Sequence, residues 1–228
     1  MNSYYPLTYA QKRLWFEYKI APNSVKYNLP LLFKLNGRVN IDALREAWGK
    51  VVQRHAGLRT HFNEQSNTPY QYINSSGVEA FQVIDLSDKS LTEKEAISKE
   101  IIDTLINHKF NIEHPPLWKI ALIILDSTTY YLLLNFHHII IDGHSISILL
   151  KDLSDIYNYL CFNEDSPPKI NISITDYLKF EEKNLISTFL DKSKFFWKKY
   201  LNNTNFKINI PSKGIFHSST KEEGRRIS

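Results

Sequence analysis

Along the chain, apolar positions switch between a helical period and short alternating or continuous runs. Thr8-Tyr9-Ala10-Gln11 has the form of a capping box, and Ala10, Leu14, Trp15 and Tyr18 then recur at helical spacing. Residues 28–36 (NLPLLFKLN) read as a strand closed by Gly37, and Ile41, Leu44, Trp48, Val51, Val52 and His55 mark a second amphipathic helix. Short strands are expected near Tyr70–Ile73 and Phe81–Ile84, and Thr92-Glu93-Lys94-Glu95 predicts the opening of a third helix that reaches about Ile106. Residues 117–125 and 129–136 are rich in Ile, Leu and Tyr, are parted by Asp126-Ser127-Thr128, and predict a buried hairpin. Ser145 is expected to cap a helix carrying Ile146, Leu149, Leu150, Leu153, Ile156, Tyr157 and Leu160 at the 3.6 period. A loop with Pro167 and Pro168 then leads to a helical tail from about Thr175 to Leu201. Strands alternating with helices predict an α/β fold, and the hairpin makes its sheet mixed rather than all-parallel.

Composition narrows the function classes. The 228 residues are 43% apolar and include 30 aromatics, enough to bury a core, so a disordered or fibrous chain is excluded. Length alone allows one large domain or two small ones. The net charge is +4, and residues 181–228 hold 10 Lys+Arg against 5 Asp+Glu. That skew is far from the dense basic stripe of a nucleic-acid binder and reads as a solvated helix face, with docking of an acidic protein partner as the alternative. The one cysteine, Cys161, cannot form an internal disulfide. With no signal peptide legible at Met1–Pro6 and no apolar run of bilayer length, a cytoplasmic protein without membrane association is expected.

The candidate chemistry lies in the turn between the hairpin and the following helix, His137-His138-Ile139-Ile140-Ile141-Asp142-Gly143. From the residue frequencies, chance would place such an HHxxxDG string in this chain about 4 × 10⁻⁴ times. A histidine at a strand end is rigidly held and titrates near neutrality, so it can take or orient a proton. An Asp four residues on can fix the loop through an arginine, and a Gly lets a backbone N–H approach a substrate oxygen. Strand alternation turns His137 away from His138, which leaves it a supporting structural role. No HExxH or CxxC accompanies the histidines and the 7 glycines stand singly, so neither a metal site nor a phosphate loop is expected.

HHIIIDG resembles the active-site motif of the condensation domains of nonribosomal peptide synthetases, members of the chloramphenicol-acetyltransferase-like superfamily. Further stretches agree in the family's order. Residues 7–15 (LTYAQKRLW) are similar to its first motif and residues 54–62 (RHAGLRTHF) to its second, with Ala56 where Glu is usual. Lys109-Phe110-Asn111 through Pro116-Leu117-Trp118-Lys119 resembles the segment before the central hairpin, and Asp176-Tyr177 with Phe196-Trp197-Lys198 the helical region behind it. His144 stands where many members carry Trp, which bears on substrate type.

The resemblance implies a chloramphenicol-acetyltransferase-like α/β lobe: residues 1–228 would be the N-terminal half of a two-lobed domain whose second lobe this chain does not supply. It implies that His138 acts on an attacking amine as general base or by positioning it, and that Gly143 offers its N–H to the carbonyl or oxyanion. Asp142 is expected to pair with Arg59, with Arg54 as second choice. Ser145 and His144 adjoin the site, Ser145 chiefly as helix cap. Substrates would arrive as phosphopantetheine thioesters on carrier-protein domains, with no cofactor bound directly, and a downstream adenylation domain would be a partner. The position of the first motif directly behind Met1 suits a domain that takes an acyl starter or is fed by a separate upstream protein. Other readings are an acyl-CoA-dependent acyltransferase of the same superfamily, a related epimerization domain, and a noncatalytic lobe that docks carrier proteins. Attack on a preactivated thioester needs no covalent enzyme intermediate, which suits a chain with no Ser or Cys nucleophile elbow.

Overall fold

The computed structural model describes residues 3–77, 80–163, 165, 174–186 and 188–202. The expected loop at Pro167 and Pro168 lies outside them, as does the chain beyond residue 202. Two compact units are distinguished, Met1–Lys183 and Asn184–Ser228.

In the first unit, elements follow in the order β1 (Ser3–Pro6), α1 (Tyr9–Ile20), β2 (Asn28–Asn36), α2 (Ile41–Arg54), a 3₁₀ turn (Ala56–Arg59), β3 (Thr60–Gln65) and β4 (Thr68–Ile73). Then come β5 (Phe81–Asp85), α3 (Leu91–Ile106), β6 (Trp118–Ile124), β7 (Thr129–His137) and α4 (Gly143–Phe162). Helix α5 (Ile174–Ile186) follows, and α6 (Thr188–Tyr200) belongs to the second unit. The expected single helical tail is thus two helices.

The strands form two sheets. One is antiparallel with order β1-β4-β3; the other has order β2-β7-β6-β5, in which β5 and β6 run parallel and the remaining pairs antiparallel. The second is therefore the mixed sheet that the hairpin predicts. Strands β6 and β7 are buried along nearly their whole length. With both faces covered, they show continuous apolar runs instead of alternation. Trp118, Ile120 and Leu122 of β6 and Leu132, Leu134 and Phe136 of β7 share a core with Leu44, Trp48, Val51 and Val52 of α2 and Leu149, Leu153 and Ile156 of α4. Trp48 stands edge-on to Trp118, ring centroids 5.0 Å apart. A smaller cluster of Leu7, Trp15, Phe62, Phe110, Ile112, Leu117 and Ile139 joins α1 to the antiparallel sheet.

Helix starts follow capping chemistry. Thr8 and Gln11 form the expected box at α1, but α3 opens slightly earlier than Thr92: Ser90 is its cap and Glu93 completes the box. Gly37 adopts φ +107°, a conformation that L side chains rarely enter, as β2 ends beside the hairpin turn, where its N–H donates to the Thr128 carbonyl. Among the described residues, no helix is long and apolar enough to cross a membrane.

Candidate active site

The HHxxxDG segment is the passage from β7 to α4, and its geometry is set by backbone contacts on both sides. The His137 N–H donates to the Leu117 carbonyl and the His138 N–H to the Tyr27 carbonyl at 2.8 Å. The Ile140 N–H returns to the His137 carbonyl and the Ile141 N–H to that of His138, making a tight turn. Ile139 and Ile141 are buried, 3% and 7% exposed, and pin the turn to the two cores. His138 is half-buried, while Asp142, Gly143 and His144 are exposed. A rigid backbone under a half-exposed imidazole is the arrangement that aiming a proton acceptor requires.

His137 is 4% exposed and lies among the rings of Tyr27 and Phe110. Its Nδ1 accepts from the Ile139 N–H, so that nitrogen is unprotonated. Burial, helped by the neighbouring His138, pushes its pKa from 6.5 down to about 4. A histidine kept neutral in the fold but free to protonate when unfolded lends full stability only above pH 6.5. That contribution falls away as pH drops from 6.5 to 4, by on the order of 3 kcal/mol. His137→Gln is therefore expected to flatten the fall of the urea midpoint across this window; an unchanged slope would assign the acid sensitivity to other groups.

Asp142 departs from expectation. Its side chain is the N-cap of α4, with Oδ1 accepting from the Ser145 N–H at 2.8 Å and from the Ser145 hydroxyl at 2.6 Å. Those two bonds hold its carboxyl below the usual carboxylate range, and His144 and His138 lower it further. The expected pairing of Asp142 with Arg59 is not formed. Arg59 instead donates through Nε to the Val52 carbonyl and through Nη1 to that of Asn74, tying the 3₁₀ turn to α2 and to the end of β4. Arg54, the second choice, places Nε 2.7 Å from Asp152 Oδ2. The physical reason is local: a carboxylate that begins a helix reaches an orphan N–H of the first turn at little entropic cost, whereas Arg59 finds unsatisfied carbonyls beside it. Ser145 is thus not the cap but the capped residue, and its hydroxyl is taken up by Asp142.

Gly143 opens α4 on an exposed face, and a Cβ built there would meet nothing within 4 Å. As the first residue of α4, Gly143 has an N–H with no intrahelical acceptor, the kind of donor that can serve an oxygen. Gly57 shows the opposite case: a Cβ would stand 3.0 Å from the Ile140 carbonyl oxygen, so the turn at Ala56–Arg59 packs directly against the HHxxxDG segment. The Trp118 Nε1–H donates to the Leu58 carbonyl at 2.9 Å and locks the same turn to β6. Sequence reasoning missed Asp152, which also accepts from His55 Nε2 at 2.8 Å. Its one signal was an acid inside the apolar stripe of α4 between Leu149 and Leu153.

A family model described as Condensation domain matches residues 1–227. The chain belongs to the condensation domain family. It is 31% identical over 193 residues to bacitracin synthase 2 of Bacillus licheniformis, covering 85% of this chain and 7% of that protein. It is 30% identical over 217 residues to a dimodular nonribosomal peptide synthase of Bacillus subtilis, covering 91% of this chain and 9% of that protein. Among solved structures, the starter condensation domain of rhizomide synthetase RzmA superposes with a TM-score of 0.79 at 20% identity, over 90% of this chain and 49% of that one. The first condensation domain of the calcium-dependent antibiotic synthetase gives 0.78 at 20% identity, over 89% of this chain and 48% of that one. The fold is that of condensation domains, and this chain spans about half the length of those solved chains and a small fraction of the curated synthetases.

Proposed function

We propose that residues 1–228 form the histidine-bearing N-terminal lobe of a condensation domain that makes an amide from a carrier-bound acyl or peptidyl thioester and a carrier-bound aminoacyl acceptor. The observation that carries this reading is His138: half-buried, fixed by backbone on both sides, and set beside the open first turn of α4 in a chain of this family. The amine nitrogen attacks the thioester carbonyl; the C–N bond forms, the C–S bond breaks, and the thiolate leaves. His138 receives or orients the proton that the amine gives up, and that proton ends on the departing sulfur. The Gly143 N–H stabilises the oxygen as charge develops on it. Holding both tethered substrates in line supplies much of the acceleration, which suits a site with few chemical groups.

Asp142 acts indirectly, by capping α4 and thereby fixing where Gly143 stands. Arg59 and Arg54 support the second motif, His137 supports the strand end, and His144 and Ser145 border the substrates. The partners are carrier-protein domains with their phosphopantetheine arms, an adenylation domain and the second lobe, in the cytoplasm. An acyl starter is the narrower form of the donor, tested by offering fatty-acyl against peptidyl carriers. With one wall of the cleft, His138 faces water, so purified residues 1–228 are expected to form no amide above the uncatalysed rate on mixed, loaded carriers. Turnover by this chain alone, abolished in His138→Ala, would overturn the half-site reading.

A further inference from the structure

Asp152 sits on the core-facing side of α4, 8% exposed, among the buried Leu149, Leu153 and Ile156. A carboxylate in such surroundings is costly to bury unless it is paired and hydrogen-bonded. One oxygen, Oδ2, takes both partners: Arg54 Nε at 2.7 Å and His55 Nε2 at 2.8 Å. Those two are consecutive residues at the point where the chain leaves α2, and His55 is already extended (φ −101°, ψ 105°). The anchor therefore acts on the direction in which the chain enters the 3₁₀ turn at Ala56–Arg59.

That turn is the surface on which the histidine loop rests. Gly57 lies against the Ile140 carbonyl, and Leu58 is bonded to Trp118. From the loop, Asp142 and Gly143 open α4, and Asp152 lies nine residues further, about 14 Å along a rigid helix. The contacts close a ring: His138 loop, α4, Asp152, Arg54 and His55, 3₁₀ turn, and back to the loop. We propose that Asp152 is a positioning residue for the HHxxxDG loop, closing a ring of contacts that sets where His138 and the Gly143 N–H stand relative to each other. Its relevance to amide formation rests on the function proposed above, but the ring does not, and it can be tested without turnover.

The test is amide hydrogen exchange on residues 1–228, with the His138 Cε1–H resonance followed by NMR. Asp152→Asn keeps the shape and removes the charge; His55→Phe keeps an aromatic ring but removes the donor to Asp152, and serves if the first variant fails to fold. Both are expected to speed exchange at the hydrogen-bonded amides of Ile139–Ile141 at least tenfold and to shift the His138 resonance, while Ile120–Leu122 and Leu132–Leu134 stay within twofold of the parent. Loop exchange unchanged from the parent would overturn the proposal. So would a rise of equal size in the loop and in β6 and β7, because that pattern marks a general loss of stability.

Discussion

Replacing His138 by Ala is expected to lower amide formation about 10²- to 10⁴-fold in a condensation domain that contains this chain, the range for removing a general base or the group that orients a proton. The fold should be untouched, because the imidazole is half-buried and the segment is held by its backbone: His138 N–H on Tyr27 and Ile141 N–H on the His138 carbonyl both survive the change. Single-turnover formation of the acceptor-bound product, read by intact mass, reports the chemical step, and an unfolding curve run beside it reports stability. A large loss of product with an unchanged curve is the predicted pair of results. A loss below about tenfold would leave positioning of the two tethered substrates as the main source of rate, with His138 a bystander.

Trp118→Ala is expected to cost about 3–5 kcal/mol of folding stability, the upper range for truncating a buried aromatic. Trp118 is 0% exposed and begins β6 at the centre of the main core. Its removal deletes the edge-on contact with Trp48 and leaves a cavity between the sheet and α2. It also strands the Leu58 carbonyl, which accepts the indole N–H and sits in the turn beneath the histidine loop. Trp118→Phe would refill most of the volume yet still lose that hydrogen bond, so its cost should be smaller but not zero. Urea denaturation of the two variants separates the terms, and equal small losses would mean that this part of the core repacks freely.

The parts of the fold that were legible in the sequence are those with one unambiguous environment. Strands β6 and β7 are buried on both faces and announce themselves by unbroken apolar runs, and α2 shows its buried stripe from Ala43 to Val52 at helical spacing. Strand β3, THFNEQ, has only Thr60 and Phe62 fully buried, and β1 is four residues long, so neither carries enough pattern to be recognised. The HHxxxDG segment was legible as chemistry, but its electrostatic partners were not. Spacing along a chain says that a carboxylate needs a partner without saying which is nearest in space. Asp142 satisfied itself within its own first turn, while the first arginine of the second motif, Arg54, went to Asp152, a residue hidden in a stripe of leucines. Buried charge pairs between helices form across about a hundred residues of chain, a separation at which no local pattern operates.

If this chain brings the reacting histidine to a cleft that it shares with a second lobe, neither half should work without the other. Mixing purified residues 1–228 with carrier-bound donor and acceptor, with and without a separately expressed second lobe, and weighing the acceptor carrier asks this directly. An acceptor heavier by the acyl group is expected only when both lobes are present, and none with His138→Ala. No mass gain from the two lobes under conditions where they bind each other, or equal gain without the second lobe, would refute the shared cleft.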